Sequence, residues 1–123
     1  MNGNIQKGLI VFLLLVVFAS IVYVFTKRYE GFESQPVISY FYLETCGWCQ
    51  KFNPEWEKFT KAVQTDKLPI TVRKVNAEEN KEEVEKEQIN GFPHVHIVKD
   101  GKRTDFEFNR TSEELMKFVK ATL

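Results

Sequence analysis

From Leu9 to Phe25 the chain reads LIVFLLLVVFASIVYVF, without a single charge. As a helix this run rises about 25 Å, the short end of what crosses a bilayer core. It has no polar face, so it cannot serve as the half-buried helix of a soluble core. Val17-Phe18-Ala19 offers small residues at a spacing that suits signal-peptide cleavage, yet Ile21 to Phe25 stays apolar beyond it. The expectation is an uncleaved, single-pass anchor over residues 1–26, in lipid through residues 9–25. Lys7 lies before the span and Lys27 and Arg28 after it, a lean of one charge toward a cytoplasmic C-terminal part. The sequon Asn109-Arg110-Thr111 matters only if that part is lumenal or extracellular.

After the span comes a linker at residues 27–36, KRYEGFESQP, and then one folded unit at 37–123. The chain carries 17 Lys+Arg against 17 Asp+Glu, and no basic cluster interleaved with aromatics, so nucleic acid is not an expected partner. Its two cysteines sit together and staple no distant segments. Burial of Phe, Val and Ile must hold the unit together.

The pattern along that unit alternates. Val37–Tyr42 is β-branched and aromatic, a buried strand. Trp48, Phe52, Trp56, Phe59 and Val63 recur at helical steps, with Pro54 predicted to kink the helix. Ile70–Val75 reads as a second strand and the charged stretch Glu78–Asn90 as a surface helix. His94–Val98 reads as a third strand, and Asp100-Gly101 turns it into a fourth at Thr104–Phe108. Thr111-Ser112-Glu113-Glu114 is a capping-box start for a last helix burying Leu115, Phe118 and Val119. The order β-α-β-α-β-β-α implies an α/β unit: a four-stranded mixed sheet, one parallel pair and one hairpin, helices on both faces.

The cysteines fall between the first strand and its helix, in Thr45-Cys46-Gly47-Trp48-Cys49. A thiolate is the nucleophile in disulfide exchange, and unpaired N–H groups at a helix start lower its pKa. Cys46 would point outward and attack. Cys49, nearly one turn deeper, would resolve the mixed disulfide.

Here the chain resembles the thioredoxin superfamily, over nearly all of Val37–Val119. Pro54 stands where that family carries its helix-kinking proline. Ile70 to Asn76 resembles its strand ending in a buried lysine, with Lys74 in the lysine's place. Gly91-Phe92-Pro93, then a strand and Lys99-Asp100-Gly101-Lys102, resembles its cis-proline loop and hairpin. Arg110-Thr111 with Glu114-Leu115 looks like the disulfide-isomerase branch. The resemblance implies a minimal thioredoxin-like fold behind a transmembrane helix, lacking the family's first strand and helix. It also implies a cis Phe92–Pro93 bond beside the cysteines, with Phe92 offering its main chain to an extended substrate. It places Lys74 as a tuner of Cys49 and Arg110 as a modulator of the same thiol. Tyr40 replaces the family's buried carboxylate, and its hydroxyl is expected to accept from Lys74. Thr45 and Trp48 also depart from the commoner motif.

Taken together the expected activity is thiol–disulfide oxidoreduction on protein thiols and disulfides, with a redox partner to recycle the dithiol. Gly47 and Trp48 form the intervening loop. No bound cofactor is required, since the two sulfurs carry the electrons. His94, next to Pro93, is placed to stabilise the Cys46 thiolate as an imidazolium. His94 and His96 share a strand face and with the two cysteines compose a possible Cys2His2 metal site, against which a buried, hydrogen-bonded histidine pair is the simpler reading. Two other functions compete: a non-catalytic adaptor on the same fold, supported by the Tyr40 departure, and a metal or iron–sulfur carrier.

Overall fold

The computed structural model describes residues 2–30 and 35–123. The chain divides into two units, Met1–Glu33 and Ser34–Leu123. The first is helix α1, Gly3–Glu30. It runs past the expected boundary at residue 26, so Lys27–Glu30 continue the helix instead of forming an extended linker; residues 31–34 lie outside the described residues. Within it, the most apolar 18 residues of Gly3–Lys27 have a mean hydropathy of 2.9, and none of them is buried.

The second unit contains β1 (Val37–Tyr42), α2 (Gly47–Thr65), β2 (Thr71–Asn76), α3 (Lys81–Lys86), β3 (His94–Lys99), β4 (Lys102–Asp105) and α4 (Ser112–Thr122). The strands lie in the order β2-β1-β3-β4. β1 is parallel to β2 and antiparallel to β3, and β3 is antiparallel to β4. β1 is therefore interior, which is why VISYFY is apolar on both faces.

Alternation along β1 sorts the core. Ile38 and Tyr40 face α2 and α4, joining Phe52, Trp56, Phe59 and Leu115 in the larger cluster. Phe41 faces the other way, packing with Val75, Ile89 and partly buried Val84 of α3. Helices thus cover both faces. α2 continues through Pro54 as one element. Thr111 caps α4 by accepting from the Glu114 N–H at 3.2 Å, and Glu55 Oε2 accepts from the Ser112 N–H at 2.8 Å, tying α2 to the start of α4.

Several bounds differ from the sequence reading, among them the end of β3 at Lys99 and the start of β4 at Lys102. α3 is a short helix within the expected Glu78–Asn90. At its start the Asn76 side chain accepts from the Glu78 N–H at 2.9 Å, holding a turn there. At its end Gln88 adopts a left-handed φ of 53°. β4 ends at Asp105, with the Phe106 N–H still donating to the Val95 carbonyl oxygen at 2.9 Å, and Phe106 and Phe108 pack on Phe118 with ring centroids 5.3 and 6.2 Å away. β2 begins at Thr71. The β3–β4 turn has positive φ at both Asp100 (52°) and Gly101 (74°), a backbone that suits Asp-Gly.

Candidate active site

The end of β1 delivers the chain to the start of α2, and Cys46 sits at that junction as the N-cap, with an extended backbone. Its sulfur accepts from the Cys49 N–H at 3.2 Å, one of the orphan donors of the first helical turn. The same sulfur lies 3.9 Å from the Phe92 carbonyl oxygen. The Phe92–Pro93 bond is cis. Cys46 is half-buried and Cys49 fully buried, and both are free thiols. Burial pushes the Cys49 thiol up, the Cys46 side chain adds to this, and the Leu43 backbone and the Tyr40 hydroxyl oppose it.

Gly47 opens α2 with open space where a Cβ would stand. Trp48 is 65% exposed, with the Lys51 ammonium 4.9 Å from its ring centroid. It forms one wall of an open cleft of about 530 Å³ that also takes in Phe52, Pro93, Phe106, Phe108 and Arg110. A second, more polar cleft of about 400 Å³ lies along Gly91–His94 with Arg103, Asp105 and Arg110. Arg110 borders both. It is exposed and among the described contacts makes none with Cys49.

Tyr40 lies beneath Cys49 and is fully buried. Its hydroxyl donates to Asn53 Oδ1 at 2.9 Å and approaches the Cys49 carbonyl oxygen at 3.3 Å. Burial, reinforced by both cysteines, holds its pKa far above the ordinary phenol range. The expected bond from Lys74 is not formed. Lys74 sits on edge strand β2, exposed, its ammonium 4.8 Å from the Tyr42 ring centroid and 6.0 Å from that of Tyr40. It is not among the groups that shift Cys49.

His94 also stands elsewhere than expected. Its side chain faces α3's side of the sheet, stacked beside Phe41 with His96. His94 Nε2 is 3.0 Å from His96 Nδ1 and 3.2 Å from the Arg103 guanidinium. Burial lowers both imidazoles, His96 to about 4 with Arg103 and His94 adding to the effect. A neutral His94 so engaged is no imidazolium for Cys46. The grouping of metal-capable side chains among the described residues is His94, His96 and Asp105, without either cysteine. Arg103 Nε already donates to Asp105 Oδ1 at 2.6 Å, and another guanidinium nitrogen donates to the Glu87 carbonyl oxygen. The protein's own cation fills that cluster.

Two features of the site escape a reading of the sequence alone: Asn53 and the aromatic cleft. Asn53 is four residues after Cys49, on the same helical face, a polar residue between Phe52 and the buried Trp56. That interruption is the available signal. Phe108 alternates with charges as a strand residue would, and this hides its place at the cleft.

A family model described as Thioredoxin matches residues 22–121. Protein disulfide-isomerase A4 of Bos taurus is 33% identical over 88 residues, 72% of this chain and 14% of that protein. A thioredoxin domain-containing protein 5 homolog of Drosophila melanogaster is 33% identical over 86 residues, 68% of this chain and 21% of that protein. The chain thus spans a small fraction of these curated relatives. Among solved structures, the first thioredoxin domain of mouse protein disulfide-isomerase A4 matches with a TM-score of 0.66 at 31% identity, covering 73% of this chain and 64% of that one. The first two thioredoxin domains of Saccharomyces cerevisiae Eps1p match with a TM-score of 0.67 at 26% identity, covering 79% and 38%.

Proposed function

The chain belongs to the thioredoxin family, and from that premise we propose that it is a membrane-anchored thiol–disulfide oxidoreductase acting on protein substrates. The observation that carries this reading is the placing of Cys46. Its sulfur stands at a helix N-cap, receives a backbone N–H, and borders the Phe92 carbonyl oxygen.

The Cys46 thiolate attacks one sulfur of a substrate disulfide. A Cys46–substrate disulfide forms and the other substrate sulfur leaves with the electron pair. Cys49, three residues on in the first turn, then attacks Cys46. The Cys46–Cys49 disulfide forms and the second substrate thiol departs. A dithiol partner returns the pair to its reduced state, and the same steps reversed insert a disulfide. During attack the substrate backbone lies along Phe92 and its side chains reach the cleft between Trp48 and Phe108. The anchor is α1, whose Gly3–Lys27 stretch is long and apolar enough to cross a bilayer. The lean of Lys27 and Arg28 over Lys7, a difference of one charge, supports a cytoplasmic second unit.

The test is dithiothreitol-driven reduction of a protein disulfide by the full chain in detergent. Wild type should accelerate it and Cys46→Ser should not; equal rates would refute the assignment. The elevated Cys49 thiol favours a second reading, a holder that keeps partners in long-lived mixed disulfides. Under that reading wild type accumulates such adducts without turnover.

A further inference from the structure

Resolution needs the most deeply buried sulfur to become an anion. A buried anion is costly unless something donates to it, and Cys49 is fully buried. Its own helix-start N–H cannot meet this need, because that group is given to Cys46. The Leu43 backbone favours the anion yet leaves the thiol raised, and the polar side chains beside it are Tyr40 and, through Tyr40, Asn53.

We propose that the Tyr40 hydroxyl is the switchable donor for the Cys49 thiolate, with Asn53 as its reciprocal partner, and that this pair sets the rate of mixed-disulfide resolution. This rests on the exchange reaction proposed above. Tyr40 is a positioning and donor residue here, never a base, because a phenol held so far up keeps its proton at neutral pH. In the dithiol its hydroxyl donates to Asn53 Oδ1. An amide carries both an acceptor oxygen and an NH2 donor. When Cys49 ionises, the amide turns its NH2 toward the phenol oxygen, and the freed O–H donates to sulfur. The Tyr40 hydroxyl already lies 3.3 Å from the carbonyl oxygen of Cys49 itself, and its presence opposes the rise that burial imposes on that thiol. The balance closes without another reagent. Cys49 gives its proton to solvent, its sulfur attacks Cys46, the substrate sulfur leaves with the bonding pair, and that thiolate takes up a proton.

The experiment uses the reduced full chain in detergent with an aryl disulfide, 5,5′-dithiobis(2-nitrobenzoate), followed by stopped flow. Attack by Cys46 releases one aryl thiolate, and attack by Cys49 releases the second. Tyr40→Phe should leave the first phase unchanged. It should slow the second by about tenfold, the scale of a hydrogen bond to a charged group, and move its pH midpoint upward. Asn53→Asp, a permanent acceptor that keeps the phenol proton, should do the same, while thermal unfolding of both variants shows a folded unit. A second phase in Tyr40→Phe with wild-type rate and pH midpoint overturns the inference. Wild-type protein that releases no second thiolate instead overturns the exchange reaction itself.

Discussion

The Cys46 sulfur lies 3.9 Å from the carbonyl oxygen of Phe92, so the nucleophile and a stretch of backbone outside the sheet meet at one point. A substrate strand laid along that backbone brings its own sulfur to Cys46. Phe92 then serves through its main chain, and its ring through packing on the α3 side. Phe92→Leu should therefore keep turnover within about twofold, a volume-tolerant apolar exchange. Peptide turnover measured with purified variants checks this, and loss of activity in a folded Phe92→Leu protein would contradict it.

Trp48 is the exposed wall of the cleft beside the cysteines. Trp48→Ala removes contact area from substrate without touching the reacting sulfurs. KM for a peptide disulfide flanked by a bulky apolar residue should rise several-fold, on the order of 1 kcal/mol of lost burial. The rate of Cys46 attack on a small aryl disulfide should stay near wild type. Equal effects on both would move Trp48 from docking to chemistry.

Stability should fall as pH falls through the histidine range. Burial lowers His96 to about 4 from an ordinary 6.5, so between those values the unfolded chain binds more protons than the folded one. The contribution is fully present above about pH 6.5 and is lost progressively toward pH 4, on the order of 1–3 kcal/mol. His94 shifts the same way. Urea unfolding across this range should show the slope, and His96→Gln should flatten it. A wild-type stability independent of pH from 7 to 4 would contradict the burial argument.

Glu55 provides a separate acid-sensitive link. Its carboxylate accepts from Ser112 N–H, and this bond, with Lys58, holds its pKa below the ordinary value. The stabilisation is present above the carboxylate range and is lost as pH falls into it. Glu55→Ala should lower stability at pH 7, and the difference from wild type should vanish in acid. A penalty that persisted at low pH would assign the loss to packing.

Much of this was readable in the residues, for physical reasons. Val37–Tyr42 had one interpretation because an interior strand is apolar on both faces. Thr111 to Glu114 announced its cap because a side-chain oxygen and a helix N–H are local partners. The cysteine pair declared its place because strand, junction and amphipathic helix were contiguous. What failed was whatever depended on which way a side chain turns across the sheet. His94 adjoins Pro93 in sequence, yet strand alternation aims it at Phe41 and Arg103. From the resemblance alone Lys74 is expected to be buried, but β2 is an edge and the ammonium stays in solvent over Tyr42. Asn53, hidden in an amphipathic run, gains meaning only once Tyr40 is seen beneath it.

The membrane assignment makes its own prediction. α1 carries no charge from Leu9 to Phe25, so the full chain should remain in the bilayer fraction after alkaline carbonate washing. Val16→Arg, mid-span, should weaken insertion by roughly 2.5–3.5 kcal/mol on insertion scales. In sealed vesicles with the cytoplasmic face outward, protease should digest the second unit. Its protection would reverse the orientation drawn from Lys7, Lys27 and Arg28.

The most direct test replaces only the resolving sulfur. Cys49→Ser protein, mixed with an oxidised protein substrate and quenched in acid, should be found by mass spectrometry covalently joined to that substrate through Cys46. If no adduct forms, or if it forms at another residue, Cys46 is not the attacking group and the exchange mechanism is wrong.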